Sequence, residues 1–235
     1  MREIRPRNEP VSFTQWRAES QKDINYSYNL IPSDLRCEIK DSLIAEQRGL
    51  CAYTGIGINA DGSHIEHLLP QSHCQRGQED VSYANMVACY PGTDGKYVPF
   101  GALLKANWPS RAEQHLFVSP RSAGCEARFL FSERGRITVA QDDEAARETV
   151  KRLGLDHTRL EAMRREAISA TLRWKGENPP LLDLSSARKR LASLESAETA
   201  GGSLEPFCFA LKQTLRKHIL KLESIRESKR ARRGS

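Results

Sequence analysis

The amino-acid sequence predicts an α+β protein in which a small antiparallel hairpin and a short helix are embedded in a mainly α-helical chain. Two short segments, 64–69 and 85–90, are apolar or alternate between polar and apolar residues, which is typical of strands. Beyond residue 140, apolar residues recur at intervals of three and four, as in helices that bury one face. At 235 residues, the chain fits one large domain or two small ones.

The predicted elements divide the chain into three regions. Residues 1–31 are polar, contain Pro6 and Pro10, and are predicted to form an arm with little regular structure. Residues 32–140 are predicted to form the α+β domain that contains the hairpin. Residues 141–235 are predicted to form a helical region that ends in a basic tail.

The composition excludes two classes of protein. Hydrophobic residues make up 39% of the chain and charged residues 28%, as in ordinary globular proteins. No run of 18 apolar residues is present, so we expect no transmembrane helix and no membrane partner. The first residues lack the apolar stretch of a secretory signal, and the six cysteines show no CxxC spacing. We therefore expect a cytoplasmic protein with reduced, mostly buried thiols.

The first helix is predicted between Ser33, a plausible N-cap, and Gly49, a plausible C-terminal residue. Apolar residues within it recur at every fourth position, which gives one buried face. They are Leu35, Ile39 and Leu43.

The central strands follow two turn signals. Residues 64–69 alternate between polar and apolar side chains until Pro70, and 85–90 form a second short apolar strand. A polar loop joins them, and residues 101–107 are predicted to form a short helix. Residues 127–139 are predicted to form a second hairpin around a glycine-containing turn. The remaining helices are predicted at 144–153, 156–174, 186–197 and 204–226.

Basic residues are concentrated near the C-terminus. Between Lys212 and Arg233 there are nine basic and two acidic residues, a net charge of +7, while the rest of the chain carries about −1. Such a segment attracts phosphate groups or an acidic partner surface, although it can also be a solvated helix end. The residues expected to contact nucleic acid here are Lys229, Arg230, Arg232 and Arg233.

The residues best suited to chemistry are Glu66 and His67, with Asn85 placed 18 residues after the histidine. A carboxylate such as Glu66 supplies the oxygen ligands that a hard divalent cation prefers. A neutral His67 can take a proton from water near pH 7. Asn85 can fix a loop by hydrogen bonding to its backbone, which keeps the histidine aimed.

Three segments around these residues resemble the HNH endonuclease family, which has the ββα-metal fold: H-I-E-H-L-L-P-Q-S, Y-A-N-M-V-A-C-Y-P-G and F-G-A-L-L-K. The resemblance implies that residues 32–140 form a nuclease domain that hydrolyses phosphodiester bonds of DNA or RNA. It also implies catalytic roles for His67, Glu66 and Asn85. Glu66 would bind a divalent metal, Mg²⁺ or Mn²⁺.

The chain departs from the family pattern where many members bind structural zinc through two CxxC pairs. Cys51 and Cys89 occupy the first position of each pair, but Thr54 replaces the second cysteine of the first pair. The second pair is interrupted, and Phe100 stands near the place of its missing cysteine. A four-thiolate zinc site is therefore not expected, and we expect apolar packing in its place.

The third metal ligand of the family is also missing, because Ala102 stands at its position. Asp94 is the substitute ligand that we predict, with Asn107 and His115 as alternatives. His64 lies two residues from Glu66 and therefore on the same strand face, where it could assist the metal or the phosphate or have a structural role. His64 and Lys105 are both expected to contact nucleic acid.

A second resemblance covers roughly residues 35–175. It includes S-P-R-S-A-G-C-E-A-R-F-L-F-S-E-R-G-R-I and T-V-K-R-L-G-L-D-H-T-R-L-E-A-M-R-R, which are similar to the PtuB branch of HNH nucleases. This branch belongs to Septu anti-phage systems and to their retron-associated variants. It implies an ABC-type ATPase partner (PtuA-like) and, in the retron variants, a reverse transcriptase with its RNA–DNA product.

Two alternatives stay open on the sequence alone. The missing ligands favour a decayed HNH protein that serves as a nucleic-acid-binding or scaffold subunit, whereas the presence of Glu66, His67 and Asn85 together favours an enzyme. The last helix carries a seam with period 3.5, which can pack on the molecule's own core or on a partner subunit. The seam residues are Leu204, Cys208, Leu211, Leu215, His218, Leu222 and Ile225.

Overall fold

The structure, a computed structural model, describes residues 1–93, 97–174, 176–177 and 179–232. These residues form an α+β fold with two separate two-stranded sheets. The helices are α1 (Val11–Ser20), α2 (Ser33–Glu46), α3 (Ala102–Lys105), α4 (Glu144–Arg152), α5 (Thr158–Leu172), α6 (Leu184–Thr199) and α7 (Cys208–Ala231). The strands are β1 (His64–His67), β2 (Met86–Cys89), β3 (Phe129–Phe131) and β4 (Ile137–Val139).

The first hairpin pairs β1 with β2 in antiparallel register, His64 opposite Cys89 and His67 opposite Met86. The short helix α3 follows in the chain. Both strands and this helix lie where the sequence predicted them. The connection from β1 to β2 is irregular apart from two short 3₁₀ helices, Gln71–His73 and Tyr83–Asn85.

The second hairpin, β3 and β4, also confirms its prediction. Its turn contains Gly135, whose φ of +80° favours glycine. A Cβ at this position would collide with the backbone of Glu161 in α5. Glycine is thus required both for the turn and for the close packing of the hairpin on α5.

A small core lies between α1, α2 and β2. The predicted face of α2 is buried there, together with Phe13 of α1 and Met86 of β2. The expectation of an irregular N-terminal arm was wrong, because residues 11–20 form a helix that buries Phe13 and partly buries Trp16. The spacing of three residues between these two aromatic side chains matches one face of a helix.

Helix α2 ends close to its predicted boundary. Gly49 has a φ of +74° and donates its N–H to the Ile44 carbonyl at 2.9 Å, which closes the helix. Ser33 is the first helical residue, and Pro32 stands at the N-cap position in its place. Gln47 then anchors this end to the hairpin, because its side-chain amide both donates to and accepts from Ala88 at 2.7 Å.

The larger core is formed mainly by the C-terminal helices, the second hairpin and residues of 50–56. Helix α7 packs on α5, α6 and β3 through its first half, where Cys208, Leu211, Leu215 and His218 are buried. The seam thus packs on the molecule's own core as far as His218. Beyond this point the helix is largely exposed, with Ile225 43% accessible.

Contacts cross both predicted region boundaries. Met1 and Ile4 are buried in the larger core, and the Ile4 N–H donates to the Pro120 carbonyl at 2.8 Å. The Gly101 N–H donates to the Leu153 carbonyl at 2.7 Å, which links α3 to the end of α4. Within the part of the chain that the structure describes, no helix combines the length and apolar character needed to span a bilayer.

Candidate active site

Glu66 and His67 occupy the last two positions of β1 and project to opposite faces of the strand. Lys105 of α3 lies at the Glu66 face, and the ring of Tyr28 lies at the His67 face. This follows from the alternation of side chains along a strand, which β1 keeps to its last residue. In the described residues, β2 is the only strand paired with β1, so the other edge of β1 pairs with no strand.

Asn85 fastens the loop that follows His67. Its Oδ1 accepts a hydrogen bond from the Leu69 N–H at 2.8 Å, and its Nδ2 donates to the Leu69 carbonyl at 3.1 Å. The same amide nitrogen donates to the Glu79 carbonyl at 3.0 Å. Asn85 thereby ties both ends of the loop to the start of β2, which is the orienting geometry expected from the sequence.

The orientation of the His67 ring follows from its two nitrogen contacts. Nε2 lies 2.9 Å from the Asp80 carbonyl oxygen, which can only accept a hydrogen bond, so Nε2 carries the proton. Nδ1 therefore carries the lone pair, and it accepts a long hydrogen bond of 3.3 Å from the Gln71 amide. The Tyr28 ring packs edge-on against the imidazole with centroids 4.8 Å apart.

The environment of His67 favours the neutral imidazole. The residue is 5% exposed, and this burial lowers the pKa of His67 below its ordinary value, although the Asp80 carbonyl opposes the shift. A neutral ring with its lone pair on Nδ1 can accept a proton at neutral pH. Such a ring has the properties of a general base once the Gln71 amide gives way to a water molecule.

Glu66 is held by an internal ion pair. The Lys105 ammonium lies 2.8 Å from Glu66 Oε1 and also donates to the His67 carbonyl at 2.8 Å. The Lys105 side chain is fully buried (0% exposed), whereas that of Glu66 is 18% exposed. The sequence-based expectation that Lys105 contacts nucleic acid is therefore wrong for this structure, because its ammonium group is enclosed as the counter-ion of Glu66.

The Glu66 carboxyl group experiences two opposing effects. Burial raises its pKa, and the nearby Lys105 ammonium lowers it, with the net effect upward from the ordinary value. Oε1 is engaged by Lys105, whereas Oε2 accepts no hydrogen bond from any described residue. This second oxygen keeps its lone pairs free of described donors.

The donor set for a metal ion is small. Among the residues that the structure describes, no three histidine, cysteine, aspartate or glutamate side chains form a group that could hold one. Ala102, at the family's third ligand position, is buried, and Asn107 bonds with Ser72 rather than with Glu66. His115 is exposed on a separate 3₁₀ helix, Arg111–Leu116. The predicted ligand Asp94 lies outside the described residues.

His64 is the imidazole placed on the Glu66 face of β1. Its Nδ1 lies 2.5 Å from the Pro91 carbonyl, so that nitrogen carries the proton and Nε2 keeps its lone pair. Mg²⁺ binds through one or two carboxylates, with waters and substrate phosphates completing its shell. Glu66 Oε2 therefore fits a cation that also has a substrate phosphate as a ligand, with His64 beside it.

The four positions at which many HNH nucleases bind structural zinc are filled here by packed side chains. Cys51 and Cys89 are both buried, and the Tyr90 N–H donates to the Cys51 sulfur at 3.3 Å. Thr54 and Phe100 are also buried, so the predicted packing at these four positions is found. Burial raises the pKa of the Cys51 thiol, but hydrogen bonds from Cys89, Thr54 and the Tyr90 backbone outweigh it and lower this pKa to about 5.

The predicted residues of the basic tail lie apart from this site. Lys229 and Arg230 are exposed in the last turn of α7, and Arg232 is exposed just after it. Arg233 lies outside the described residues. The side chains of Lys229, Arg230 and Arg232 bond with none of the described residues, so this part of the tail presents free positive charge.

Three residues that hold His67 were not predicted: Tyr28, Gln71 and Asp80. Asp80 also accepts the Tyr28 N–H at 3.0 Å, so the residues on the two sides of the imidazole support each other. The Tyr28 contact joins segments that are far apart in sequence, and the Asp80 contact uses a backbone carbonyl. No local sequence pattern indicates either contact. Gln71 is four residues after His67, but only the 3₁₀ turn Gln71–His73 brings its amide back to the ring.

Comparison with known proteins assigns no relative to this chain. Neither the scan against models of protein families nor the search of curated proteins finds a match.

Proposed function

We propose that this protein is a phosphodiester hydrolase of the HNH type that acts on nucleic acid, with His67 as the general base. The observation that carries the proposal is the His67 ring, fixed with its proton on Nε2 and its lone pair on Nδ1. His67 follows Glu66 directly at the end of β1, and Asn85 holds the loop that comes next. This combination supplies both a base and a charged group for hydrolysis.

In the proposed reaction, a water molecule replaces the Gln71 amide at Nδ1 and gives that nitrogen a proton. The water oxygen forms a bond to the phosphorus while the bond to the leaving oxygen breaks. The leaving oxygen keeps the electron pair of that bond and takes a proton from solvent. The Asp80 carbonyl keeps the ring in the required tautomer, because it accepts a hydrogen bond from the Nε2–H group throughout. The Lys105 contact with the His67 carbonyl holds the end of β1 while this occurs.

Glu66, through Oε2, is the residue that would hold a Mg²⁺ or Mn²⁺ ion, with His64 beside it. Such an ion would stabilise the negative charge that develops on the phosphate. Because Lys105 already neutralises part of the Glu66 charge, we expect weak binding of the ion without substrate. The substrate phosphate would then supply the remaining affinity.

The proposal includes a role in a bacterial anti-phage complex with an ABC-type ATPase. Its support is the resemblance over residues 35–175, together with the exposed second half of α7, which carries Leu220 and Ile225. Coexpression with an ATPase encoded beside the gene tests this, and coelution of the two proteins is expected. Separate elution would contradict it. In a retron-associated system, the reverse transcriptase and its RNA–DNA product would coelute as well.

A cleavage assay tests the enzymatic proposal. Purified protein is incubated with supercoiled plasmid and with single-stranded RNA, in Mg²⁺ or Mn²⁺. Replacing His67 with alanine is expected to lower cleavage about 10²–10⁴-fold, the range for a positioned general base. His115→Ala is the matched control, since His115 is exposed and bonds with no described side chain. Equal rates for His67→Ala and wild type would refute the assignment.

A second candidate function is a nucleic-acid-binding or scaffold subunit without hydrolytic activity. The observation that favours it is the Lys105 ammonium on Glu66, together with Ala102 at the missing ligand position. This candidate predicts that the wild-type protein binds nucleic acid but leaves every substrate of the assay intact with both metals. The same purified samples, measured for binding and for cleavage, distinguish the two functions.

A further inference from the structure

A cleft of about 430 Å³ lies beside the start of β1. Its wall includes Tyr28 from the His67 face of the strand and Leu103 of α3 from the Glu66 face. His64 and Ile65 form the strand edge between them. Glu66 and His67 do not line the cleft, but Tyr28, which does, packs against the His67 ring with centroids 4.8 Å apart.

The cleft contains positive charge that no described residue neutralises through an ion pair. Arg36 and Lys40, one turn apart on α2, both line it. Lys40 bonds with none of the described residues. Arg36 donates through Nε to the Ile31 carbonyl at 2.9 Å, and its terminal amino groups donate to no described atom. These groups can donate to an anion that enters the cleft.

The remaining wall suits the sugar and base of a nucleotide. Tyr28 presents a ring that already packs against Arg36, with the guanidinium carbon 5.9 Å from the centroid. Leu103 is an exposed apolar side chain, 39% accessible. His64 Nε2 is a polar atom free of described partners at the strand edge. Aromatic and apolar walls with nearby cations are the usual components of single-strand binding sites.

We propose that this α2 cleft binds the sugar–phosphate backbone of a single nucleic-acid strand, and that this strand crosses the edge of β1 beside His67. Arg36 and Lys40 contact phosphates, and Tyr28 and Leu103 contact the sugar and base. The inference depends on the proposed function only for the identity of the ligand. It adds where the substrate strand lies and which residues hold it.

The test measures binding of a fluorescent single-stranded oligonucleotide, as DNA and as RNA, by the full-length His67→Ala protein at several salt concentrations. Replacing Arg36 and Lys40 with glutamine removes two phosphate contacts. The slope of log K against log salt should then fall in magnitude by about 1.4, from 0.7 per contact with a single strand. The matched control replaces Arg134 and Lys189, two exposed cations outside the cleft, and should keep the wild-type slope.

A second pair of variants needs no change to Arg36, whose Nε bond contributes to the fold. Leu103→Asp places a carboxylate in the cleft and should weaken binding of the oligonucleotide. Leu104→Asp makes the same change at an adjacent residue of equal exposure, 39%, that does not line the cleft. The proposal is supported if the cleft variants bind either the DNA or the RNA oligonucleotide more weakly than their controls do. Equal binding within each pair would overturn it. This experiment measures binding only, whereas the nuclease proposal is tested by cleavage. A failure of one proposal can therefore be distinguished from a failure of the other.

Discussion

The Lys105 ammonium lies 2.8 Å both from Glu66 Oε1 and from the His67 carbonyl oxygen. A single buried side chain of α3 thus neutralises the charge of Glu66 and holds the backbone of His67 in place. The contact also joins α3 to the end of β1. Its energetic consequence can be measured without any assumption about activity.

Replacing Lys105 with methionine is expected to destabilise the fold. The change leaves Glu66 with a largely enclosed carboxylate and no counter-ion, and it removes the bond to the His67 carbonyl. Removing one partner of a buried pair costs about 3–5 kcal/mol, and the partial exposure of Glu66 favours the lower end. Urea unfolding at pH 7 measures the loss.

Two further variants define that experiment. Lys22→Met is the control, because Lys22 is exposed and bonds with no described residue. It should change the free energy of unfolding by less than about 0.5 kcal/mol. Adding Glu66→Gln to Lys105→Met should recover part of the loss, since the unpaired charge is then absent. An unchanged free energy of unfolding for Lys105→Met would show that the ion pair is not a stabilising contact.

The local elements of this fold could be predicted from the sequence because each has a local cause. Alternating or apolar residues before Pro70 and after Asn85 indicate the strands, and the spacing of Leu35, Ile39 and Leu43 indicates α2. Helix α1 could not be identified in the same way, because the segment is mainly polar and buries chiefly Phe13 and Trp16. It is stabilised by tertiary contacts with α2 rather than by a strong apolar pattern.

The candidate site could be predicted only as a set of chemical groups. Asn85 was predicted to hold the loop, and its bonds to Leu69 and Glu79 agree with that prediction. The position of Lys105 could not be predicted, since a lysine at the end of a short helix usually points to solvent. Its burial depends on the distance between α3 and β1, which is a property of the tertiary fold.

Replacing Asn85 with alanine is expected to free the loop 69–79. The variant loses the contacts with the Leu69 N–H and carbonyl and with the Glu79 carbonyl. Leaving such groups without a partner costs about 1–3 kcal/mol. Hydrogen exchange should increase at the Leu69 amide, while Asn107→Ala, which loses only a bond from Ser72, should leave that amide protected. Unchanged protection of Leu69 in Asn85→Ala would contradict the role of Asn85 as a loop anchor.

The lowered pKa of His67 predicts how stability changes with pH. The unfolded chain takes up a proton near pH 6.5, whereas the folded protein does so only at lower pH. The neutral buried ring therefore stabilises the fold above pH 6.5, and this contribution is lost as the pH falls through the folded pKa. Cleavage should lose activity over the same range, as the base becomes protonated.

Unfolding in urea between pH 7.5 and 5 measures this effect, with His67→Gln and His115→Gln as the matched pair. The wild type and His115→Gln should lose more stability than His67→Gln as the pH falls below 6.5. The same dependence in all three proteins would exclude His67 as the group responsible.

Removing divalent metal is expected to abolish cleavage, and Mg²⁺ or Mn²⁺ should restore it. The reason is the open Oε2 of Glu66, which suits hard cations better than zinc. Glu66→Gln keeps the shape but removes the charge, so it should need a higher metal concentration than wild type for the same rate. Glu133→Gln, an exposed carboxylate in the β3–β4 turn, is the control. Full activity in excess chelator, with metal removal verified, would refute the metal role.

The basic tail is expected to contribute affinity rather than chemistry. The segment from Lys212 to Arg233 carries a net charge of +7. Its exposed end lies beyond the packed half of α7 and apart from the candidate active site. A truncation before Lys212 would remove buried residues of the larger core, so charge substitution is the better probe. The substitutions to glutamine are made together at Lys229, Arg230, Arg232 and Arg233.

If all four tail residues contact duplex phosphates, the slope of log K against log salt should fall in magnitude by up to about 3.6, from 0.9 per contact. A control with the same change in charge replaces exposed cations elsewhere, Lys22, Arg134, Arg165 and Lys189. If the tail binds the ATPase partner, duplex affinity should match the control while assembly of the complex weakens. Measuring both kinds of binding on one variant separates these outcomes. If neither changes, the tail is a solvated helix end, because its charge then interacts with neither nucleic acid nor partner.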